Sequence, residues 1–535
     1  MANDLMEIAA ESTRGGFFLV SGTALSTIIM ALASILVARF LGPELYGQYT
    51  LALVTPQLLL LFTDMGINQG LIKYTASLRQ RGEMIRVVRI IKYGLLIKAL
   101  SGITIFIISY VFSGTLASTI LQRPDLTLYV RIASISVLFQ AIFTTLTSTF
   151  VGLDKTEYNA LATNVHAISK AIISISLVLL GFGLFGAILG HVASYIIAAI
   201  TSVLLLTTVL NSLKNSSKEK GFNDSNEIKT LINYGLPLYI SAILIGFIPY
   251  YQSIVLAIYT SDVDVGNFKA ATNFIALMTV LTVPITTALL SAFSKLDSET
   301  TKKIRHFFKL ANKYATLVIL PITFLIIIFS SEIVQIIYGS TYQYAPQFLA
   351  SYCLIYMLTG LGFLTLTSLF NGLGDTKTTL KISLITSFSV IVLAPLLTLN
   401  YKVYGLIISF IIANMFGTLY GARTAVKKLQ VTFDKHSLFR IYLCSIFSAF
   451  PVFMLKLTKL PNIASFIGGV VLYLSLYLTL IPLTKTITDA ELATSDLIIQ
   501  KVKFISFVMK PLLKYQRRIL RLELVRSKFN VQNMK

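Results

Sequence analysis

Tyr46-Gly47-Gln48-Tyr49 returns as Val265-Gly266-Asn267-Phe268, at a numbering offset of 219 (265 minus 46) in a chain of 535. Working outward, Gly16 in Arg14-Gly-Gly-Phe-Phe-Leu19 has its counterpart in Gly235 of Asn233-Tyr-Gly-Leu-Pro-Leu238 at the same offset. Gly186 in Leu184-Phe-Gly-Ala187 pairs likewise with Gly405 in Val403-Tyr-Gly-Leu406, and Gly152 before Leu153-Asp-Lys155 pairs with Gly372 before Leu373-Gly-Asp375 at an offset one larger. Four matches in order among 30 glycines mark a tandem repeat. Repeats of this length build the two bundles that many transporters place around a central site.

Composition sets the environment. The chain is 55% hydrophobic and only 13% charged, with a mean hydropathy of +0.78, outside the range of soluble domains. Apolar runs of about twenty residues, enough for a helix to cross a hydrocarbon core of about 30 Å, recur along nearly all of it. The expected architecture is therefore an all-α polytopic membrane protein with about 14 spans: 16–38, 47–72, 91–113, 126–151, 159–180, 184–209, 232–259, 266–291, 308–330, 346–370, 378–399, 403–424, 438–457 and 462–484. These group into a short N-terminus (1–15), a six-helix bundle (16–209), a linker (210–231), a second six-helix bundle (232–424), an extra helix pair (438–484) and a basic amphipathic tail (485–535). The first span is too long for a signal peptide and is expected to be retained. Cys353 and Cys444 fall inside apolar spans with no metal-ligand spacing and read as small core residues, so no metal site and no cofactor is expected.

The formal net charge of +22 could suggest nucleic acid, but its distribution points to a membrane surface instead. If alternate loops share a side, one side carries 36 of the 45 Lys and Arg residues, from Arg14 to the tail, whereas the opposite loops carry only Arg39, Arg123, Lys402, Lys456 and Lys459. The positive-inside rule then puts both termini in the cytoplasm of a cell-membrane protein. The tail, with Leu497-Ile-Ile-Gln-Lys-Val-Lys-Phe504 and Lys514-Tyr-Gln-Arg-Arg518, is expected to lie on anionic lipid headgroups, with no nucleic acid as partner.

Charged residues inside spans are expensive and mark function or pairing. Four are cationic, Lys98, Arg131, Lys170 and Lys269, and one is anionic, Asp64; His166 and His191 add imidazoles. Helical spacing groups them. Arg131, Ser134, Ala141, Thr145 and Ser148 share one face, as do Asn159, Thr163, His166 and Lys170, the last two a single turn apart. Gly94, Lys98 and Gly102 share a small-residue face that points Lys98 towards protein; Gln57, Asp64 and Asn68 align in span two, and Lys269, Asn273 and Ala276 in span eight. The four cations are candidate ligands for an anionic, phosphate-bearing cargo in an aqueous cavity, with snorkelling near helix ends as the alternative. Asp64, His166 and His191 are candidates for ion coupling or for structural pairing. Pro56, Pro237, Pro249, Pro284 and Pro395 can kink their spans, Pro237 and Pro249 being the preferred hinges.

Ile35-Leu-Val-Ala-Arg39-Phe-Leu-Gly-Pro43-Glu-Leu-Tyr-Gly47-Gln-Tyr49, followed by Phe62-Thr-Asp64-Met-Gly66 and Lys73-Tyr74, resembles the N-terminal signature of polysaccharide and O-antigen flippases of the multidrug/oligosaccharidyl-lipid/polysaccharide exporter superfamily. In the second half, Val265 to Ala271, Val334-Gln-Ile-Ile-Tyr-Gly339-Ser-Thr-Tyr342 and Phe370-Asn-Gly-Leu-Gly-Asp375-Thr-Lys377 fit as well, so the resemblance covers about residues 10–430. It implies two pseudo-symmetric six-helix bundles around a central cavity, plus two further helices. It also implies transfer of a polyprenyl-diphosphate-linked oligosaccharide between leaflets by alternating access, with a lipid-linked anionic oligosaccharide as partner and a monomeric transporter. Where many relatives carry an acidic residue in the seventh span, this chain reads Tyr250-Tyr-Gln252-Ser253.

Two rivals within the superfamily differ in charge. A cation-coupled multidrug exporter needs carboxylates to attract cationic cargo, and spans one and seven contain none; a lipid II flippase carries a dense arginine set near its first helix, represented here only by Arg14. A membrane glycosyltransferase or polymerase is the enzymatic alternative. Asp262-Val-Asp264 has the look of a metal-binding triplet but lies in a short hairpin, and neither a phosphate-binding loop nor a zinc or nucleophile motif occurs, so a transporter is expected rather than an enzyme.

Overall fold

A computed structural model describes residues 2–214, 225–296, 301–456, 462–489, 491–492, 510–511 and 513–520. The described residues form helices and turns with no strand. In chain order the principal helices are α1 (Ala2–Leu60), α2 (Ile67–Gln80), α3 (Met84–Val111), α4 (Thr127–Gly152), α5 (Thr156–Leu177), α6 (Gly183–Lys214), α7 (Ser225–Tyr259), α8 (Asp262–Ser294), α9 (Thr301–Ile328), α10 (Ser330–Tyr338), α11 (Ala345–Cys353), α12 (Leu366–Gly372), α13 (Thr376–Leu429), α14 (Lys435–Lys456) and α15 (Asn462–Leu483).

Eight helical segments among the described residues are long and apolar enough to cross a membrane, or ten if two bent pairs each count as one span, so the expected number of 14 is not established. Physical reasons for the difference are visible in the backbone. Three segments run for 43, 56 and 54 residues. At 1.5 Å per residue even the shortest is about 65 Å long, twice the hydrocarbon thickness. Each contains a residue of positive φ, namely Gly42 (φ 74), Gly181 and Gly183 (φ 90 and 50) and Lys402 (φ 49), where two helices meet at a kink. The bent pairs are Asp262–Ile275 with Met278–Ser294, at 43°, and Ala345–Leu361 with Leu366–Gly372, at 50°. Pro56, Pro284 and Pro395 lie inside helices, and the side chain of Pro237 lies outside the described residues.

The chain forms two compact units. One comprises Met1–Asn273, Ile337–Ala345 and Ser387–Ser409; the other comprises Phe274–Ile336, Pro346–Thr386 and Phe410–Lys535. Each has its own apolar core, and the two cores are built from equivalent residues. In the first, Leu146 and Phe150 of α4 pack with Leu71 of α2 and Ile90 of α3. In the second, Leu366 and Phe370, their counterparts at the offset that links Gly152 to Gly372, pack with Phe293 and Phe308. The repeat glycines obey the same correspondence. Gly152 presses on the backbone of Leu71 and Ile72, and Gly372 on that of Leu290, the repeat counterpart of Leu71; Gly186 presses on Leu177, and Gly405 on Leu397. The duplication is thus one of packing contacts as well as of sequence.

Outward faces carry large apolar side chains. Leu180 is 72% exposed, Phe388 69% and Phe439 65%, an inversion of soluble-protein surfaces that suits helices bathed in lipid. In the second unit, Thr488 and Glu491 form a reciprocal cap, the Thr488 hydroxyl receiving the Glu491 N–H while the Glu491 carboxylate accepts from the Thr488 N–H. Lys313 Nζ reaches the same carboxylate at 2.8 Å and ties the residues after α15 to α9. Of the expected basic tail, 497–504 lies outside the described residues; in the helix of 513–520, Leu513, Gln516 and Leu520 are buried while Lys514 and Arg518 are exposed.

Candidate functional site

All of the polar groups singled out inside the spans belong to the first unit, and the structure distributes them over four places. Lys98 is 1% exposed and donates to Asp64 Oδ1 at 3.1 Å and to Thr63 Oγ1 at 3.4 Å. The helix breaks here: Leu61–Thr63 tightens to a 3-10 turn, and Met65 and Gly66 take positive φ before α2 begins. Lys98 and Ser101 of α3, the latter donating to the Thr63 carbonyl at 3.0 Å, hold the free end of that turn, where the helix dipole favours a cation. Gly66 lies in backbone contact with Gly235 at this break.

Arg131 is exposed near the start of α4, its Nε donating to Ser113 Oγ at 3.1 Å and its guanidinium lying 5.6 Å from the Tyr110 ring. The remainder of its stripe is packing surface. Ser134, Ala141 and Thr145 are fully buried, with Gly102 of α3 close against Ala141 and Ser109 bonded to Ser134 at 2.7 Å.

Lys269 Nζ donates to Ser253 Oγ at 2.9 Å. One turn further along α8, Asn273 donates to Tyr46 Oη at 2.6 Å and to Ser34 Oγ at 3.0 Å. These bonds belong to a seam where the second half of α1 meets the start of α8, crossing at Gly47 and Gly266. Arg123 donates to Asp262 Oδ1 at 2.8 Å and to the Thr260 carbonyl at 2.7 Å, and Gln48 donates to Asp262 Oδ2 at 3.1 Å. The Tyr342 hydroxyl donates to the Ala38 carbonyl at 2.5 Å. Both repeats contribute to this seam, so its polar bonds must all be exchanged if the two helices part. Asp262 has an arginine and a glutamine as partners here, an occupation that accounts for the carboxylate without a metal.

Lys170 stands beside the two histidines. His166 and His191, 7% and 4% exposed, flank Tyr195 with ring centroids 4.3 and 5.1 Å away. Gln57 of α1 lies 3.5 Å from His191 Nε2 and donates to Gln140 Oε1 of α4 at 2.8 Å. Phe143 closes the pocket against His166 at 5.3 Å. No carboxylate among the described residues bonds to Lys170, His166 or His191, and the ring nitrogens His166 Nε2 and His191 Nδ1 have no hydrogen-bond partner. Gln140, Tyr195, Tyr46 and Ser34 are not singled out by the sequence. Only their positions on faces shared with Phe143, His191 and Gly47 could have suggested them.

Residues 12–297, just over half of the chain, match the family described as polysaccharide biosynthesis protein. No curated protein matches the sequence. Among solved structures, the fold is similar to that of a lipid II flippase, MurJ, in an inward closed conformation, with a TM-score of 0.70, 17% identity, and coverage of 87% of this chain and 98% of that one. A multidrug resistance MATE family transporter of the MOP superfamily in an inward-facing conformation is similar with a TM-score of 0.61 and 17% identity, over 77% of this chain and 99% of that one. A further MOP superfamily transporter, from Pyrococcus furiosus Vc1 (DSM3638), whose binding pocket is described as of reverse polarity, is similar with a TM-score of 0.53 and 17% identity over 79% and 96%. The repeat, the apolar outward faces and these matches agree: the chain is a multi-pass membrane protein with the fold of flippases and transporters of that superfamily, and it belongs to the polysaccharide biosynthesis protein family.

Proposed function

We propose that the protein is a flippase that moves a polyprenyl-diphosphate-linked oligosaccharide from the inner to the outer leaflet of the cell membrane by alternating access, in the assembly of cell-surface polysaccharide or glycoprotein glycan. The observation that carries this reading is a charge imbalance: Lys170 and Lys269 lie in the interior of apolar helices without a carboxylate partner among the described residues, while the only span carboxylate, Asp64, is already engaged by Lys98. Uncompensated ammonium groups in such surroundings suit an anionic passenger, and a diphosphate supplies that charge. Lys98 then serves structure, and Arg131, Lys170 and Lys269 line the path. Membership of a polysaccharide biosynthesis family supports a glycan as the remainder of the cargo.

The Lys and Arg distribution supports cytoplasmic termini, which makes the Gly47–Gly266 seam the extracytoplasmic closure. Cargo would then enter from the inside and leave when the seam opens. The tail lies on anionic headgroups, the transporter acts as a monomer, and no bond of the cargo is broken, so the cycle is transport and not catalysis. A cation-coupled exporter is disfavoured by the same imbalance, since a positive path repels cationic drugs.

The test is leaflet transfer in reconstituted vesicles, with Lys170→Ala and Arg131→Ala beside the unaltered protein. Either substitution is expected to slow transfer about tenfold, the loss of roughly one charge-assisted contact, while expression stays within about twofold. Equal loss of transfer and of folded protein would contradict a cargo-binding role.

A further inference from the structure

The pocket around Tyr195 holds more than a lone cation. Each face contributes: Tyr49 and Gln57 from α1, Gln140 and Phe143 from α4, His166 and Lys170 from α5, His191 and Tyr195 from α6, and Tyr250 from α7. Lys170 is the charged group that both imidazoles feel, and none of these elements offers a carboxylate. Two buried ring nitrogens stand ready without a partner, a costly arrangement unless something else completes it.

We propose that Lys170, His166 and His191 form a proton-linked oxyanion subsite, which binds a phosphate-type group of the cargo and takes up a proton with it. This rests on the flippase reading and adds to it a coupled ion and its carrier. Protonating either ring now would set a second positive charge beside Lys170 with nothing to balance it. An arriving phosphate reverses that balance: it accepts from Lys170 Nζ, and a proton drawn from bulk water onto His166 or His191 supplies a second charge-assisted donor. No covalent bond to the cargo forms or breaks. The proton enters with the anion and leaves with it, so cargo movement carries protons across the membrane in a fixed ratio. Gln57 links the pocket to α1, the helix that forms the seam at Gly47, so occupancy and closure share one mechanical element.

The chain contains no tryptophan, so Phe143→Trp, beside His166, gives a single background-free reporter. Full-length protein in detergent is titrated with inorganic pyrophosphate at pH 7.5 in weak buffer with a pH indicator, following Trp emission and proton uptake together. The expected result is saturable quenching of the Trp with uptake of about one proton per site. His166→Gln with His191→Gln should abolish uptake; Lys170→Met should weaken binding about tenfold or more, and Lys170→Arg should restore most of it. Binding without proton uptake, uptake that persists in the double histidine variant, or binding that is unchanged in Lys170→Met overturns the subsite. Failure of the variants to fold, read from their elution as a single monodisperse species, is separated by the Lys170→Arg control. Lipid transfer that continues at full speed and without pH dependence in the double histidine variant overturns this proposal and leaves the flippase reading intact, whereas absence of lipid transfer by the unaltered protein overturns the flippase reading itself.

Discussion

Gly47 and Gly266 lie against one another through their backbones in a near-symmetric exchange. A methyl group on Gly47 would overlap the Asp262 carbonyl oxygen, and one on Gly266 would overlap that of Pro43. Pro43 and Asp262 are themselves related by the same repeat offset as the two glycines. Each helix therefore offers the other the same residue and the same carbonyl four places earlier, the self-complementary pattern of a two-fold contact. Small residues at this crossing let backbones approach, and nothing larger fits.

Gly47→Ala or Gly266→Ala should accordingly hold the seam apart. A cysteine at Ser34, in a background with Cys353 and Cys444 replaced, is expected to react with a membrane-impermeant maleimide several-fold faster in either variant. An unchanged labelling rate would show that the crossing does not control access.

Arg123→Ala removes the bonds to Asp262 and Thr260 at the rim of the same seam. Those two bonds are charge-assisted, half-exposed and together worth about 1–2 kcal/mol, so labelling at Ser34 should rise roughly three- to tenfold. Asp262→Asn keeps a partner for Gln48 and should have a smaller effect. Equal effects would mean that the arginine acts by packing alone.

Much of this architecture was legible in the primary structure, for reasons that the contacts explain. The repeat glycines survive as matched pairs because each abuts backbone or a side chain, where a larger residue collides, so they keep their register. The spans were legible from the length of apolar runs, but their joints were not: a kink at Lys402 has no glycine or proline signal, and Gly42 and Gly181 look like any other glycine in an apolar stretch. Lys98 and Asp64 were visible as charges in the wrong solvent, whereas their pairing depends on a break in the chain after Thr63 that brings two helices together. Tyr195 was hidden because an aromatic ring in an apolar helix is ordinary.

Breaking the Lys98–Asp64 pair by one partner should cost more than removing both. Lys98 is buried and Asp64 only partly so, with side-chain exposures of 2% and 29%. Asp64→Ala, which strands the lysine, is expected to destabilise by about 2 kcal/mol, and Lys98→Met with Asp64→Asn should recover half or more of that. Thermal unfolding in detergent measures both. Additive losses would argue that the two residues do not act as a pair.

Acid should release the segment after α15. Burial alone would raise the Glu491 carboxyl, but hydrogen bonds from Lys313 and Thr488 outweigh it and hold it below its ordinary value of 4.5. A carboxyl lowered in the folded state contributes stability that is complete above 4.5 and is lost as pH falls through the lower folded value. Hydrogen exchange at 486–492 is therefore expected to quicken below about pH 4, and Glu491→Gln should exchange quickly at neutral pH with no acid step. A step that survives in Glu491→Gln would assign the effect to another group.

The most direct measurement of the central claim compares two fluorescent lipid-linked oligosaccharides of identical glycan and polyprenyl chain, one joined through a diphosphate and one through an uncharged linker, in vesicles containing the protein. The positively charged path predicts transfer of the diphosphate form at least about tenfold faster than that of the neutral form, with the difference reduced in Lys170→Ala. Equal transfer of both, or efflux of cationic drugs with no movement of either lipid, would contradict it.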